Sequence, residues 1–170
     1  MKFEIVRGSV VDASVDAIVN AANNQLLYGD GVCGAIFEAA GFEDMQDECD
    51  LYEYCKTGAA VITHGYDLKA KWVIHAVGPV YYESSNPSEE LKSAYLSSLK
   101  LADEYNLETI AFPCLSTGYF GYPLYEASKI AMETISEYVP KSLKTCYFYC
   151  YTIDEYLVYT ELEEKNRCTK

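Results

Sequence analysis

The chain has 170 residues, half of them apolar and 23% charged, with a formal net charge of −13. This length fits one domain able to bury roughly 70% of its unfolded surface, and the acidic balance argues against a broad nucleic-acid surface, which needs clustered Lys and Arg. No stretch approaches the ~20 apolar residues of a membrane-spanning helix, and Met1-Lys2-Phe3-Glu4 has no signal-peptide core, so a cytosolic protein is expected.

In chain order, Phe3 to Arg7 (FEIVR) alternates as a strand does, and Ala17 to Val19 supplies a second strand. Gly34 to Ala40 and Glu43 to Tyr54 read as helices. Strands follow at Ala59 to Thr63 and Trp72 to Val77, separated by the polar turn Tyr66-Asp67-Leu68-Lys69. Tyr81 to Pro87 is polar and reads as a loop, after which Ser88 to Tyr105 sets Leu91, Tyr95, Leu99 and Ala102 at helical spacing. Thr109 to Phe112 is a short strand stopped by Pro113, and Leu124 to Tyr138 a helix closed by Pro140. Thr145 to Tyr151 reads as a final strand and Asp154 to Glu164 as a last helix.

This alternation predicts one α/β domain spanning residues 1–170, with helices packed on a sheet. Phe3 to Arg7 and the Thr57 to Val77 pair have no intervening helices, so the sheet is expected to be mixed. Seven cysteines, an odd number without a C-x-x-C pair, read as reduced and mostly buried thiols. With His64 and His75 the only histidines, no metal cluster is expected.

The densest signal is Asp16 to Gly41, DAIVNAANNQLLYGDGVCGAIFEAAG. An apolar strand runs into Asn20-Ala21-Ala22-Asn23, then into a loop with Gly29, Gly31 and Gly34, then into a small-residue helix. Glycines let a backbone approach phosphates, and unpaired N–H groups at a helix start favour negative charge. Asn20 and Asn23 add a donor and an acceptor suited to a sugar diol. The other reading is a tight strand-to-helix connection with no ligand.

A second loop follows the strand Thr109 to Phe112: Pro113-Cys114-Leu115-Ser116-Thr117-Gly118-Tyr119-Phe120-Gly121-Tyr122-Pro123. Ligands of such sheets bind at the carboxyl ends of the strands. Two loops facing each other there would grip a diphosphate with amide N–H groups and the Ser116 and Thr117 hydroxyls.

On these residues the sequence resembles the macrodomains, in particular the bacterial O-acetyl-ADP-ribose deacetylases and mono-ADP-ribosyl hydrolases. The likeness runs through Val15 to Asn23, Thr57 to Thr63, Ala70 to Pro79 and Ala111 to Pro123. It implies a three-layer α/β/α fold with a central mixed sheet, ADP-ribose or O-acetyl-ADP-ribose as ligand, ADP-ribosylated proteins as further partners, and no cofactor or metal. By resemblance, Asn23 binds the distal ribose while Asn20 shapes the loop. Gly29 to Gly34, including Gly31, Val32 and Cys33, form one phosphate and ribose loop. Ser116, Thr117, Gly118, Tyr119 and Phe120 form the other, with Phe120 beside the distal ribose. Tyr151 matches the aromatic that stacks on adenine, although an aromatic half-buried under the last helix fits the sequence as well. His75, in an apolar strand, reads as a hydrogen-bonded core residue.

Two departures matter. Relatives commonly carry Gly-Asp-Ile after the first strand, where the aspartate accepts a hydrogen bond from adenine; here Gly8-Ser9-Val10 puts a neutral hydroxyl at that position. The deacetylase-like branch carries Val-Asp-Gly after its glycine run, and its aspartate positions the attacking water; here Val32-Cys33-Gly34 puts a thiol there. Gly-Asp-Gly-Val-Cys resembles the loop of viral replicase macrodomains, whose relatives remove ADP-ribose from proteins without that aspartate. Catalysis would then rest on positioning, with Asn23 fixing the ribose and the substrate's own phosphate or Asp30 orienting the water. Asp30 reads equally as a solvated turn residue, and Cys33 as a packing thiol rather than a nucleophile. The expectation is an esterase acting at the distal ribose; the alternative is a non-catalytic reader of ADP-ribose.

Overall fold

The computed structural model describes residues 1–168. Its elements in order are β1 (Lys2–Arg7), β2 (Ala17–Ala21), α1 (Gly31–Ala40), α2 (Phe42–Asp50), β3 (Ala60–His64), β4 (Trp72–Ala76), α3 (Pro87–Glu104), β5 (Thr109–Phe112), α4 (Leu124–Glu137), β6 (Thr145–Cys150) and α5 (Ile153–Cys168). The strands form one sheet in the order β1-β6-β5-β2-β4-β3. All ladders are parallel except β3–β4, which is antiparallel. The sheet is therefore mixed, but only because of the β3–β4 hairpin: β1 lies parallel to β6 at one edge.

Period-2 alternation sends each strand's side chains into two separate cores. Val19, Ile74, Phe112, Cys146 and Phe148 pack against α3, α4 and α5 through Leu91, Leu99, Ala131 and Tyr159. Ile18, Val73 and Ala111 face the other way, against Ile36, Phe37, Met45 and Cys49 of α1 and α2. Helices thus cover both faces, giving three layers. Tyr147 and Tyr149, also on the α1/α2 side, are only partly buried.

Several boundaries differ from the sequence reading for physical reasons. β2 runs on through Asn20 and Ala21, so Asn20 is a strand residue, buried at 1% exposure. α2 ends at Asp50 rather than Tyr54; carboxylates at Glu48 and Asp50 oppose the helix dipole there, and Glu53 turns left-handed at φ 60. α5 begins under a reciprocal cap: Glu155 N–H donates to Thr152 Oγ1 (3.2 Å), while the Glu155 carboxylate accepts from the N–H groups of Tyr151 (2.6 Å) and Thr152 (3.0 Å).

Candidate functional site

The carboxyl ends of five parallel strands share one rim, and the strand order sets the sequence of loops along it. At one end, the ladder pair Arg7–Cys150 brings the residues after β1 beside those after β6. Ser9 caps a short 3-10 turn, its Oγ accepting from Val11 N–H at 3.4 Å, and Val10 is buried beneath it. Tyr151 is 72% exposed rather than tucked under α5, its carbonyl accepting from Arg7 Nε at 3.1 Å. Ser9 and Tyr151, 142 positions apart in the chain, thus flank one edge of the rim.

Beyond them lies the loop after β5. Its own backbone closes it: Tyr122 N–H donates to Ser116 C=O (2.8 Å) and Gly121 N–H to Gly118 C=O (3.0 Å). Thr117 Oγ1 donates to Cys114 C=O at 3.1 Å. Ser116 sits in the left-handed region at φ 64, and its buried Oγ has no hydrogen-bond partner among the described residues. A Cβ on Gly78 would lie 2.2 Å from that Oγ, so the glycine after β4 makes room for the serine. Tyr119 is almost fully exposed, and the Phe120 carbonyl is anchored by Tyr81 N–H at 2.8 Å.

The loop after β2 is held from outside. Asn23 brackets the Leu27 peptide, with Nδ2 donating to its carbonyl (2.8 Å) and Oδ1 accepting from its N–H (3.0 Å). Asn24 Nδ2 donates to Cys55 C=O at 2.9 Å. Gln46 of α2 accepts from Tyr28 N–H (3.0 Å) and donates to Leu26 C=O (3.1 Å). Gln46 and Leu27 were not anticipated; a glutamine on a solvated helix face and a backbone group leave no sequence signal.

Asp30 stands at the N-cap of α1, exposed, and its carboxylate makes no cap hydrogen bond. The first turn of α1, Gly31, Val32 and Cys33, therefore starts without a side-chain cap, and its N–H groups are the positive end of the helix. A Cβ on Gly34 would meet the Gly29 carbonyl at 2.6 Å, so the turn folds closely over the loop. No Lys or Arg occurs between Arg7 and Lys56 or between Lys100 and Lys129. What these two loops themselves offer an anion is therefore backbone N–H groups and hydroxyls.

Cys33 is buried, and burial pushes its thiol above the usual range, although the Asn20 amide and the Gly29 N–H pull the other way. It stays a protonated thiol. His75 is fully buried and neutral, its pKa driven down to about 4 by desolvation. Among the described residues no group of His, Cys, Asp and Glu is arranged to hold a metal ion.

A family profile described as Macro domain matches residues 19–131. The chain is a macrodomain. It is 46% identical to a macro domain-containing protein of Caldanaerobacter subterraneus subsp. tengcongensis, over 96% of this chain and 97% of that one. It is 50% identical to the ADP-ribose glycohydrolase MACROD1 of Rattus norvegicus over 81% of this macrodomain, which spans about half (54%) of the rat protein. Among solved structures, the Oceanobacillus iheyensis macrodomain with ADP superposes at a TM-score of 0.93 with 33% identity, over 99% of this chain and 93% of that one. The Trypanosoma brucei macrodomain in complex with ADP-ribose superposes at 0.86 with 40% identity, covering 95% and 68% respectively.

Proposed function

We propose that this macrodomain binds ADP-ribose along the rim and hydrolyses ester bonds at its distal ribose. The observation that carries the reading is the uncapped first turn of α1 at Gly31 to Cys33, opposite a self-closed loop whose buried Ser116 hydroxyl lacks a partner. Such a cleft suits a diphosphate. Adenine then lies toward Ser9, Val10 and Tyr151. The distal ribose lies toward Asn23, Val32, Cys33 and Phe120, with Thr117, Gly118 and Tyr119 completing the second loop. The ADP-ribose named for two similar proteins supports this ligand.

In the reaction, water adds to the ester carbonyl and the acyl–oxygen bond breaks. The ribose oxygen takes a proton, and the acid leaves as acetate or as a protein carboxylate. Cys33 supplies no base, so catalysis rests on positioning: Asn23 orients the ribose, and Asp30 or a substrate phosphate orients the water. O-acetyl-ADP-ribose and proteins modified on acidic side chains are the substrates of this scheme, and a cytosolic location fits it.

The test pairs calorimetry with single-turnover release of product from a mono-ADP-ribosylated protein and from O-acetyl-ADP-ribose. ADP-ribose is expected to bind in the micromolar range, about −8 kcal/mol, and AMP far more weakly. Equal affinities for the two would remove the diphosphate cleft. Tight binding with no release would leave the reader reading, which the protonated thiol at Cys33 favours.

A further inference from the structure

A line of buried polar groups runs beneath the ribose end of the rim, and of its members only Cys33 enters the scheme above. Thr63 (1% exposed) on β3, His75 (0%) on β4, Asn20 (1%) on β2 and Cys33 (5%) on α1 lie side by side under α1 and α2. Asn20 Nδ2 is 3.0 Å from His75 Nδ1 and 3.7 Å from Cys33 Sγ. His75 Nε2 is 2.9 Å from Thr63 Oγ1. Cys33 Sγ in turn reaches the Leu27 carbonyl at 3.7 Å, the same carbonyl that Asn23 Nδ2 engages.

Donor and acceptor counting fixes the direction of this line. The Asn20 amide has two N–H groups and meets two partners through its nitrogen, leaving Oδ1 buried without a partner. The opposite orientation would strand two N–H donors in place of one acceptor, a larger desolvation penalty. His75 Nδ1 is then an acceptor, which places its proton on Nε2, donating to Thr63 Oγ1. The Thr63 hydroxyl donates onward to the His64 carbonyl at 3.2 Å. Asn20 thus donates to His75 and to Cys33, and Cys33 donates to Leu27; Cys49 Sγ also lies 3.7 Å from His75 Nε2, and Thr63 Oγ1 3.4 Å from Met45 Sδ.

We propose that His75 is a positioning residue for the ribose end: through Asn20 and Cys33 it fixes the Leu27 carbonyl, and with it the Asn23 amide, before ligand arrives. The thiol at position 33 thereby gains a role beyond filling space. It is the link by which a buried strand amide reaches the loop, and as a weak donor and weak acceptor in one atom it serves both neighbours. This inference rests on the ADP-ribose reading, and its test separates the two.

Three variants distinguish the bond from the bulk. In His75→Asn the amide oxygen takes the place of Nδ1 and still accepts from Asn20. In His75→Gln the amide reaches the Nε2 position and keeps Thr63 but leaves Asn20 unmet, and His75→Leu loses both bonds. Calorimetry well below each variant's melting temperature is expected to show ADP-ribose binding weakened about tenfold in the Gln and Leu variants. Binding by the Asn variant stays close to wild type, and AMP, which engages only the adenine end, binds all four proteins alike. Nitrogen NMR of the wild type is expected to find the Nε2-protonated tautomer. Equal ADP-ribose affinity in all variants, a matching loss for AMP, or an Nδ1-protonated ring would overturn the proposal. Should the wild type bind no ADP-ribose, the functional reading fails and hydrogen exchange at Leu27 N–H decides the inference. Faster exchange in the Gln but not the Asn variant supports it, and unchanged exchange overturns it.

Discussion

The two ends of the rim are built differently. At the β1/β6 end, Ser9 caps its own turn and Tyr151 is tied to Glu155 and Arg7, so most contacts reach only a few residues along the chain. At the β2/β4 end, the Asn20–Gly34 segment is tied to α2 by Gln46, to the α2–β3 connection at Cys55 and to β4 by His75, which Thr63 of β3 holds in turn. At the first end the 72% exposed Tyr151 can adjust to a base, while Val10, next to Ser9, belongs to the core. The second is set by the packing of two helices, which suits an end that must hold a ribose within bond-forming distance of water.

The most damaging change should therefore fall at the braced end. Gly34→Val places a methyl-bearing carbon against the Gly29 carbonyl, 2.6 Å from where Cβ must sit. Backbone cannot yield there cheaply, and a loss of about 3 kcal/mol in urea unfolding is expected. A drop below 1 kcal/mol would mean that the loop is looser than drawn.

Acid should act on the same end. The folded-state pKa of His75, about 4, lies below its ordinary 6.5, so the unfolded chain takes up the proton first as pH falls. The stability from the neutral imidazole is complete above pH 6.5 and is lost progressively toward pH 4, by about 2 kcal/mol between pH 7 and pH 5. Urea melts at those two values should show this loss in wild type. In His75→Leu that component should vanish; an unchanged slope would place the acid sensitivity elsewhere.

Asn23→Ala removes both hydrogen bonds to Leu27 and the amide intended for the ribose. Single-turnover hydrolysis should slow by at least about tenfold while the melting curve moves little, because Asn23 sits at the rim rather than in either core. Unaltered turnover would take Asn23 out of the mechanism. The smallest effect belongs to the adaptable end. Ser9→Asp can keep the cap on Val11 N–H and offer adenine a charged acceptor, tightening ADP-ribose binding about fivefold, near 1 kcal/mol. Weaker binding by calorimetry would mean that Ser9 does not face the base.

Much of the fold was legible locally. Thr109–Phe112 emerged with its observed limits because Pro113 ends it, and the helix over α3 because Leu91, Tyr95 and Leu99 keep strict spacing. The strand order was not, since nothing near Lys2 signals its pairing with Thr145. The two glycine loops stood out as a pair because their composition is unusual, and the structure places both on one rim. Asn20 shows where sequence reading fails. A lone amide after three apolar residues looks like the start of a loop, yet it continues β2 because an imidazole 55 positions away gives it a partner.

The ladder between β1 and β6 also has a consequence in time. β1 is an edge strand bonded in the sheet only to β6, so its backbone groups wait for the last strand to be made. At ribosomal rates of roughly 5–20 residues per second, that wait is on the order of ten to thirty seconds. Throughout it, Phe3, Ile5 and Val6 form a short sticky ribbon on a nascent chain whose middle can already condense around β2, β4 and β5. β1 is thus made long before the strand that seats it, and its place in the sheet depends on a delayed embrace by β6 rather than on any neighbour in sequence.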